Sequence, residues 1–311
     1  MFRVPHRLFW LAIPVTLCAM LAFLIPTGAP TIDICFTQQE TCETILFSSI
    51  TPDTHCALYR TDYPNAFKHA RVLVDKEEND IPHARAVDMR GLMHHKFCVT
   101  GDTIITGSTN PTHEGLNNND NNLLVITSPV LAQAYRERWD RLVVSDLSAS
   151  SSSVYAHDMH ITVHFCRESC IDAIVSRIKQ AKSSVRFMVF TFTHPRVAHA
   201  LIEAHHANIT VAGIVEKQSA SRNIYDLLTF QGINILQDGN PATLHHKTFL
   251  IDNTTVITGS FNPTKSADSI NAEDLLIIDN TDVAKRYLAE WERVYALAQQ
   301  NTLATALPRE P

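Results

Sequence analysis

The chain carries one unit twice, and this doubling restricts its possible folds more than any other feature. His94-His95-Lys96 returns as His245-His246-Lys247. Ile105-Thr106-Gly107-Ser108-Thr109-Asn110-Pro111-Thr112 returns as Ile257-Thr258-Gly259-Ser260-Phe261-Asn262-Pro263-Thr264. Tyr135 and Trp139 return as Tyr287 and Trp291, and Cys35 as Cys166. The offset between copies is 131 residues at the cysteines, 141 at Asp75-Lys76 against Glu216-Lys217, and 151 at the histidines. Copy 1 has therefore lost 20 residues in two pieces. The reading divides the chain into a leader at 1–29, half 1 at 31–144, a Ser-rich linker at 145–158, half 2 at 159–299 and a tail at 300–311.

Copy 2 spells out the elements. Ile171, Ile174, Val175 and Ile178 mark an amphipathic helix, and Val197, Ala200, Leu201 and Ala204 a second. Residues 185–192 and 209–215 read as strands, 226–230 as a short helix and 233–236 as a strand. Residues 248–252 and 255–258 are consecutive strands around a turn at Asn253, followed by a strand at 275–279 and a helix at 283–295. Alternating strands and helices predict an α/β sandwich in each copy. Copy 1 keeps the strands and lacks most of two helices, a loss that is tolerable if copy 2 covers its sheet face.

The leader has a short basic head at Arg3, His6 and Arg7, then an uncharged run from Leu8 to Ile25. That run lies between the length of a cleaved signal peptide and that of a spanning helix. Either reading exports the body, because positive charge stays inside. Six cysteines remain beyond Cys18. Cys35 with Cys42 and Cys166 with Cys170 are the natural local disulfides, whereas Cys56 and Cys98, in apolar strand-like runs, read as buried thiols. The whole chain carries a formal charge of −6. The leader holds two arginines and no acid, so the body carries −8. A protein that grips polyanions by its overall field is expected to be basic, and this one is not.

The chemistry lies in the repeated polar set. On a strand, residues two apart share a face, so His94 with Lys96 and His245 with Lys247 each project together, and His95 and His246 point away. Ser108 and Asn110, and Ser260 and Asn262, follow a Gly turn and add hydroxyl and amide donors. Two lysines with several donors suit a phosphate. Two imidazoles suit covalent catalysis, one attacking phosphorus and the other protonating the leaving oxygen. The chemistry requires no metal or cofactor, and no carboxylate cluster suited to a metal is evident. Tyr135, Trp139, Tyr287 and Trp291 read as core, and His199, His205 and His206 as a solvated helix face.

The motif His245-x-Lys247-x4-Asp252 followed by Gly259-Ser260-x-Asn262 resembles the phospholipase D superfamily, in which two His-Lys-Asp motifs from similar halves meet at one active site. The resemblance covers about residues 31–297. It implies two α/β sandwich halves, each a mixed sheet flanked by helices, forming a pseudo-twofold dimer within one chain. The catalytic unit is then a monomer. Copy 2 is similar to the small nuclease and mitochondrial cardiolipin hydrolase branch through Phe192-Thr193, Gly259-Ser260-Phe261-Asn262 and Asn271-Ala272-Glu273-Asp274.

The copies differ. His94 to Ser108 spans 14 residues against 15 from His245 to Ser260, so Gly101 falls at the Asp252 position and Asp102 one residue late. Asn121 stands where copy 2 has Glu273. That asymmetry is similar to tyrosyl-DNA phosphodiesterases and implies that Glu273 faces His94, favouring His94 as nucleophile and His245 as acid over the reverse. Asn117–Asn119 with Asn121 and Asn122 read as a polar loop at the cleft rim. The expected function is a phospholipase D-type phosphodiesterase acting on glycerophospholipid, exported and either anchored to the membrane by the leader or released. A nuclease cleaving DNA or RNA is the alternative, and an inactive phosphate-binding module a second.

Overall fold

The computed structural model describes residues 29–78, 81–156, 158–222 and 224–306. Half 1 runs β1 (Thr31–Phe36), α1 (Cys42–Ser48), β2 (His55–Leu58), β3 (Arg71–Asp75), β4 (Arg85–Val87), β5 (Lys96–Thr100), β6 (Thr103–Gly107), α2 (His113–Asn117), β7 (Asn122–Thr127) and α3 (Pro129–Val143). Half 2 runs β8 (Ser150–Ala156), β9 (Met159–Phe165), α4 (Cys170–Gln180), β10 (Ser184–Val189), α5 (Pro195–His206) and β11 (Thr210–Val215). A 3₁₀ turn (Lys217–Arg222) leads to α6 (Tyr225–Phe230), β12 (Asn234–Gln237), β13 (Lys247–Ile251), β14 (Thr255–Gly259), α7 (Lys265–Ser269), β15 (Asp274–Asp279) and α8 (Thr281–Ala306). The leader expected at 1–29 lies almost wholly outside the described residues. No described helix is long and apolar enough to cross a membrane.

Two mixed sheets result, ordered β1-β7-β6-β5-β2-β3-β4 and β12-β11-β10-β13-β14-β15-β9-β8. Read from opposite ends they are the same sheet with one strand added. The addition is β8, built from residues assigned above to the linker. It pairs antiparallel with β9 from Ser150–Phe165 to Ala156–Met159. Its serines gave a linker-like composition, but small polar residues are equally suited to an edge strand with one side in water.

Period-two alternation sorts the core into layers. On β7, Leu124 and Ile126 face inward while Leu123 and Val125 face outward; on β15, Leu276 and Ile278 face inward while Leu275 and Ile277 face outward. The inward sets of both sheets, with Tyr135 of α3 and Tyr287 of α8, form one shared cluster. Helices α4 and α5 cover the outer face of sheet 2. The outer face of sheet 1 is covered by half 1 itself, through Leu46 of α1 and Phe67. Copy 2 covers only its inner face. The closing helix also continues beyond the expected end at 295, to Ala306.

All six cysteines of the body are paired. Cys35 joins Cys42 and Cys166 joins Cys170, each closing a loop onto the first residue of α1 or α4. Cys56 and Cys98 form the third disulfide, which corrects their reading as free thiols. They are direct partners across the antiparallel β2–β5 ladder, a juxtaposition created by strand register. This bond crosslinks a separation of 42 residues, for which loop-closure entropy predicts about 4 kcal/mol. The double variant Cys56→Ala/Cys98→Ala is therefore expected to lose about 3–4 kcal/mol of unfolding free energy in urea titration; a loss under about 1 kcal/mol means that the bond constrains the unfolded chain little.

Candidate active site

Each His-x-Lys pair enters a central strand, His94 and Lys96 leading into β5 and His245 and Lys247 into β13. The segments just before these strands are tied to the opposite half. His94 N–H donates to the Ala272 carbonyl (2.9 Å), and Ala272 N–H to Leu92 (2.8 Å). His245 N–H donates to Asp120 (2.9 Å), and Asp120 N–H to Thr243 (2.9 Å). Two buried carboxylates steady the same segments within each half. Asp75 accepts the Met93 N–H at 2.7 Å, and Glu216 the Leu244 N–H at 2.6 Å. Asp75 and Glu216 entered the sequence reading only as markers of the repeat.

This stitching brings the side chains together across the pseudo-dyad. Nδ1 of His94 lies 2.8 Å from the Glu273 carboxylate of the other half, which also accepts from Ser260 Oγ (2.6 Å) and Asn271 Nδ2 (3.2 Å). Nδ1 of His245 lies 2.9 Å from Asn121 Oδ1, which accepts from Ser108 Oγ at 2.8 Å. A carboxylate and an amide oxygen only accept, so each ring donates from Nδ1 and keeps its Nε2 lone pair. Ser108 and Ser260 follow Gly107 and Gly259, at φ of +135° and +133°. A Cβ there would lie 2.4 Å from the Asn122 carbonyl oxygen or 2.5 Å from that of Asp274, so only glycine lets β6 and β14 pass this close.

His94, His245, Asn110 and Asn262 line one cleft of about 400 Å³. The Oδ1 atoms of both asparagines have no partner among the described residues, which leaves these amides free to turn toward a phosphoryl group. Lys96 and Lys247 are buried beneath, bonded to the carbonyls of His94 (2.8 Å) and His245 (2.9 Å). Two rings complete the walls: Tyr59 stands 4.9 Å from the His94 ring, and Phe190 4.9 Å from the His245 ring. Sequence reasoning missed this pair, although its 131-residue offset equals that of the cysteines.

Burial sets the electrostatics. Desolvation, reinforced by both lysines, holds His94 and His245 well below the usual imidazole range. Desolvation brings Lys96 down to about 8, against the pull of Glu273 and Asp274, and it depresses Lys247 further, with Lys96 adding repulsion. Glu273 is pushed up to about 7 by burial, opposed by Lys96 and its hydrogen bonds. An arriving phosphate anion reverses the main penalty by restoring a counter-charge to the lysines.

His95 and His246 point away from the cleft and are fully buried and bonded at both nitrogens. His95 accepts from Arg138 Nε (3.0 Å) and so donates from Nδ1 to Asp274 (2.9 Å). His246 accepts from Asn122 Nδ2 (3.0 Å) and donates from Nε2 to Glu290 (3.0 Å). Asn121 and Asn122 are thus buried beneath the histidines, and not in the rim loop expected of them; only Asn117 to Asn119 reach the surface there.

The third motif residue lies outside the cleft. Asp252, at φ +53°, accepts the backbone N–H groups of Lys182 (2.8 Å), Ser183 (2.7 Å) and Ser184 (3.0 Å), pinning the β13–β14 turn to the start of β10. Burial opposes ionisation of this carboxyl, but those amides outweigh it and hold it below the usual range. Gly101 takes the equivalent place at φ +50°, and the exposed Asp102 makes no such contacts.

Two expectations follow. Asp252→Asn should cost about 1–2 kcal/mol of stability while Asp102→Asn costs under about 0.5; equal costs in thermal unfolding would remove the asymmetry. Glu273 must be ionised to set a negative charge behind the Nδ1–H of His94, and its carboxyl is pushed up to about 7, so kcat/KM should fall as pH drops through about 7. Glu273→Gln should abolish that acidic limb and lower kcat about 10²-fold. An unchanged limb in a pH-rate profile would dissociate Glu273 from the chemistry.

Comparison with known proteins agrees with this geometry. The family model described as "Cardiolipin synthase, PLD-like domain" matches residues 46–143 and 174–295, one stretch in each half. The mitochondrial cardiolipin hydrolase of Xenopus laevis is 32% identical over 130 residues, covering 41% of this chain and 62% of that protein. A phospholipase D of Rickettsia prowazekii (strain Madrid E) is 32% identical over 124 residues, 39% of this chain and 60% of the relative. The chain thus spans about three fifths of the length of these curated relatives. The crystal structure of phosphatidylserine synthase from Haemophilus influenzae Rd KW20 superposes with a TM-score of 0.65 over 87% of this chain and 86% of that one, at 13% identity, a likeness of fold. With both halves matched and both His-x-Lys pairs turned toward one cleft, the chain belongs to the phospholipase D superfamily, in the family described as cardiolipin synthase, PLD-like domain.

Proposed function

We propose that the protein is a phosphodiesterase that hydrolyses glycerophospholipid through a phosphohistidine. The observation that carries this reading is the unequal support of the two histidines: a carboxylate behind His94 and an amide behind His245, at matched distances over one cleft. An ionised Glu273 strengthens the lone pair at Nε2 of His94, whereas Asn121 orients His245 without adding charge. His94 Nε2 forms the bond to phosphorus as the bond to the leaving oxygen breaks, and that oxygen takes the Nε2 proton of His245, a proton this ring takes up once the bound phosphodiester brings its negative charge into the site. Water then attacks phosphorus, gives its proton to His245 and displaces His94. Lys96, Lys247, Asn110 and Asn262 hold the non-bridging oxygens, and Ser108 and Ser260 steady the residues behind the rings.

The cleft wall supports lipid over nucleic acid. Among the described residues lining it, Arg60 is the only exposed Lys or Arg, beside Tyr59, Leu92, Phe190 and Ala267. A groove for a polyanion is expected to present several cations along its rim. The body's charge of −8 acts in the same direction. Three disulfides support an oxidising, non-cytoplasmic setting. Export by residues 1–29, with or without retention in the membrane, fits that setting, as does a catalytic unit complete in one chain.

Initial rates on phospholipid vesicles and on single-stranded DNA test the reading. Lipid turnover that falls at least about 10³-fold in His94→Ala is expected, with little effect on DNA. His245→Ala should accumulate a covalent phosphatidyl adduct, visible as a mass increment on the His94 peptide. DNA cleavage with inert vesicles makes the protein a nuclease; no turnover and no adduct with either substrate makes it a phosphate-binding module.

A further inference from the structure

A second cavity, of about 410 Å³, lies away from the cleft between α3 and the edge strand β8. Pro129, Val130, Ala134 and Phe165 give it an apolar lining, and Ser150 to Ser152 bring hydroxyls along one side. Arg138 forms part of its floor and is 1% exposed. Its guanidinium is only partly used. Nε donates to His95, Nη1 makes a long 3.5 Å contact with the Ser148 carbonyl, and Nη2 has no partner among the described residues. Glu137, the one acid among the described residues lining the cavity, is exposed and bonded to Gln133 at 3.0 Å. Burial draws Arg138 down to about 10, with Asp274 opposing. A buried N–H of a charged group left without an acceptor is costly, and the residue that carries it lines this cavity.

The other half shows what a satisfied position looks like. Glu290 occupies the place of Arg138 on α8 and bonds His246, Gln39 and Arg293, so its carboxylate is fully engaged.

We propose that the α3–β8 groove binds a small amphiphilic anion, its anionic oxygens on the Arg138 guanidinium and the hydroxyls of β8, its short apolar chain against Pro129, Val130 and Phe165. Paired oxygens match the planar fork of a guanidinium, whereas an alcohol or an ammonium leaves Nη2 unpaired. Arg138 holds His95, His95 holds Asp274, and Asp274 adjoins Glu273. Occupancy of the groove is therefore transmitted to His94, a consequence that rests on the function proposed above.

Isothermal titration calorimetry on the full chain tests the site independently of activity, with octyl phosphate, octanoate, octanol and octyltrimethylammonium below their micellar concentrations. Saturable binding of one or both anions and of neither control is expected. Preference for octyl phosphate points to a phosphate monoester such as the reaction's own product, and preference for octanoate to a fatty carboxylate. Gln133→Trp places an indole at the groove from an exposed position and should weaken binding at least tenfold without altering basal turnover, as should Arg138→Gln for binding alone. Octanol binding as tight as the anions, or anion binding undiminished in Gln133→Trp, overturns the site. Coupling predicts that saturating anion changes kcat at least twofold in the native protein and not in Gln133→Trp; an unchanged kcat with the groove filled overturns the coupling.

Discussion

The 2.8 Å contact between His94 Nδ1 and the Glu273 carboxylate can form only when the two halves are docked, because the residues come from different sheets. The same holds for His245 with Asn121. Neither half owns a complete histidine. The shared core of the two sheets, α3 and α8 is therefore a condition of the chemistry as well as of the fold. Backbone bonds at Ala272 and Asp120 fix the approach, and within each half Gly107 and Gly259 allow β6 and β14 to close on the carbonyls of Asn122 and Asp274.

Docking also dries the site, and dryness produces its electrostatic character. Two lysines and two histidines enclosed together all resist protonation, and the buried Glu273 resists ionisation. On the function proposed above, a phosphodiester entering this volume supplies the missing negative charge, so affinity for the anion and activation of the groups around it have one cause. The halves remain unequal beneath this symmetry. Glu273 and Asp274 lie behind the half 1 histidines, Asn121 and Asn122 behind those of half 2. The helices carry Arg138 and Glu290 at matching places, so the charges on either side of His95 and His246 are rearranged and not simply repeated.

Much of this was legible in the sequence. The repeat placed His94, Lys96, His245 and Lys247 on matched strands, and the strand and helix periods of copy 2 agree with the observed elements to within a few residues over most of their length. Glu273 facing His94 came from resemblance, since no local pattern reveals a contact between halves. Other features depended on register or packing. Cys56 and Cys98 lie 42 residues apart and look like core thiols until β2 and β5 pair. Asn121 and Asn122 sit in an asparagine-rich run that composition assigns to solvent, yet the chain turns inward there. The serines of β8 were misread because a polar edge strand and a linker share a composition. Asp75 and Glu216 repeat visibly, but their task, accepting a backbone N–H before each histidine, has no side-chain signature.

The central claim is that cross-half contacts fix both imidazoles with the proton on Nδ1 and an unprotonated Nε2. Nitrogen NMR of ¹⁵N-histidine protein, assigned with His94→Gln and His245→Gln, tests it directly. The account predicts that both rings are neutral Nδ1–H tautomers at neutral pH and titrate below the ordinary imidazole range. Nε2–H tautomers, or a His94 that titrates like a free imidazole, would contradict it.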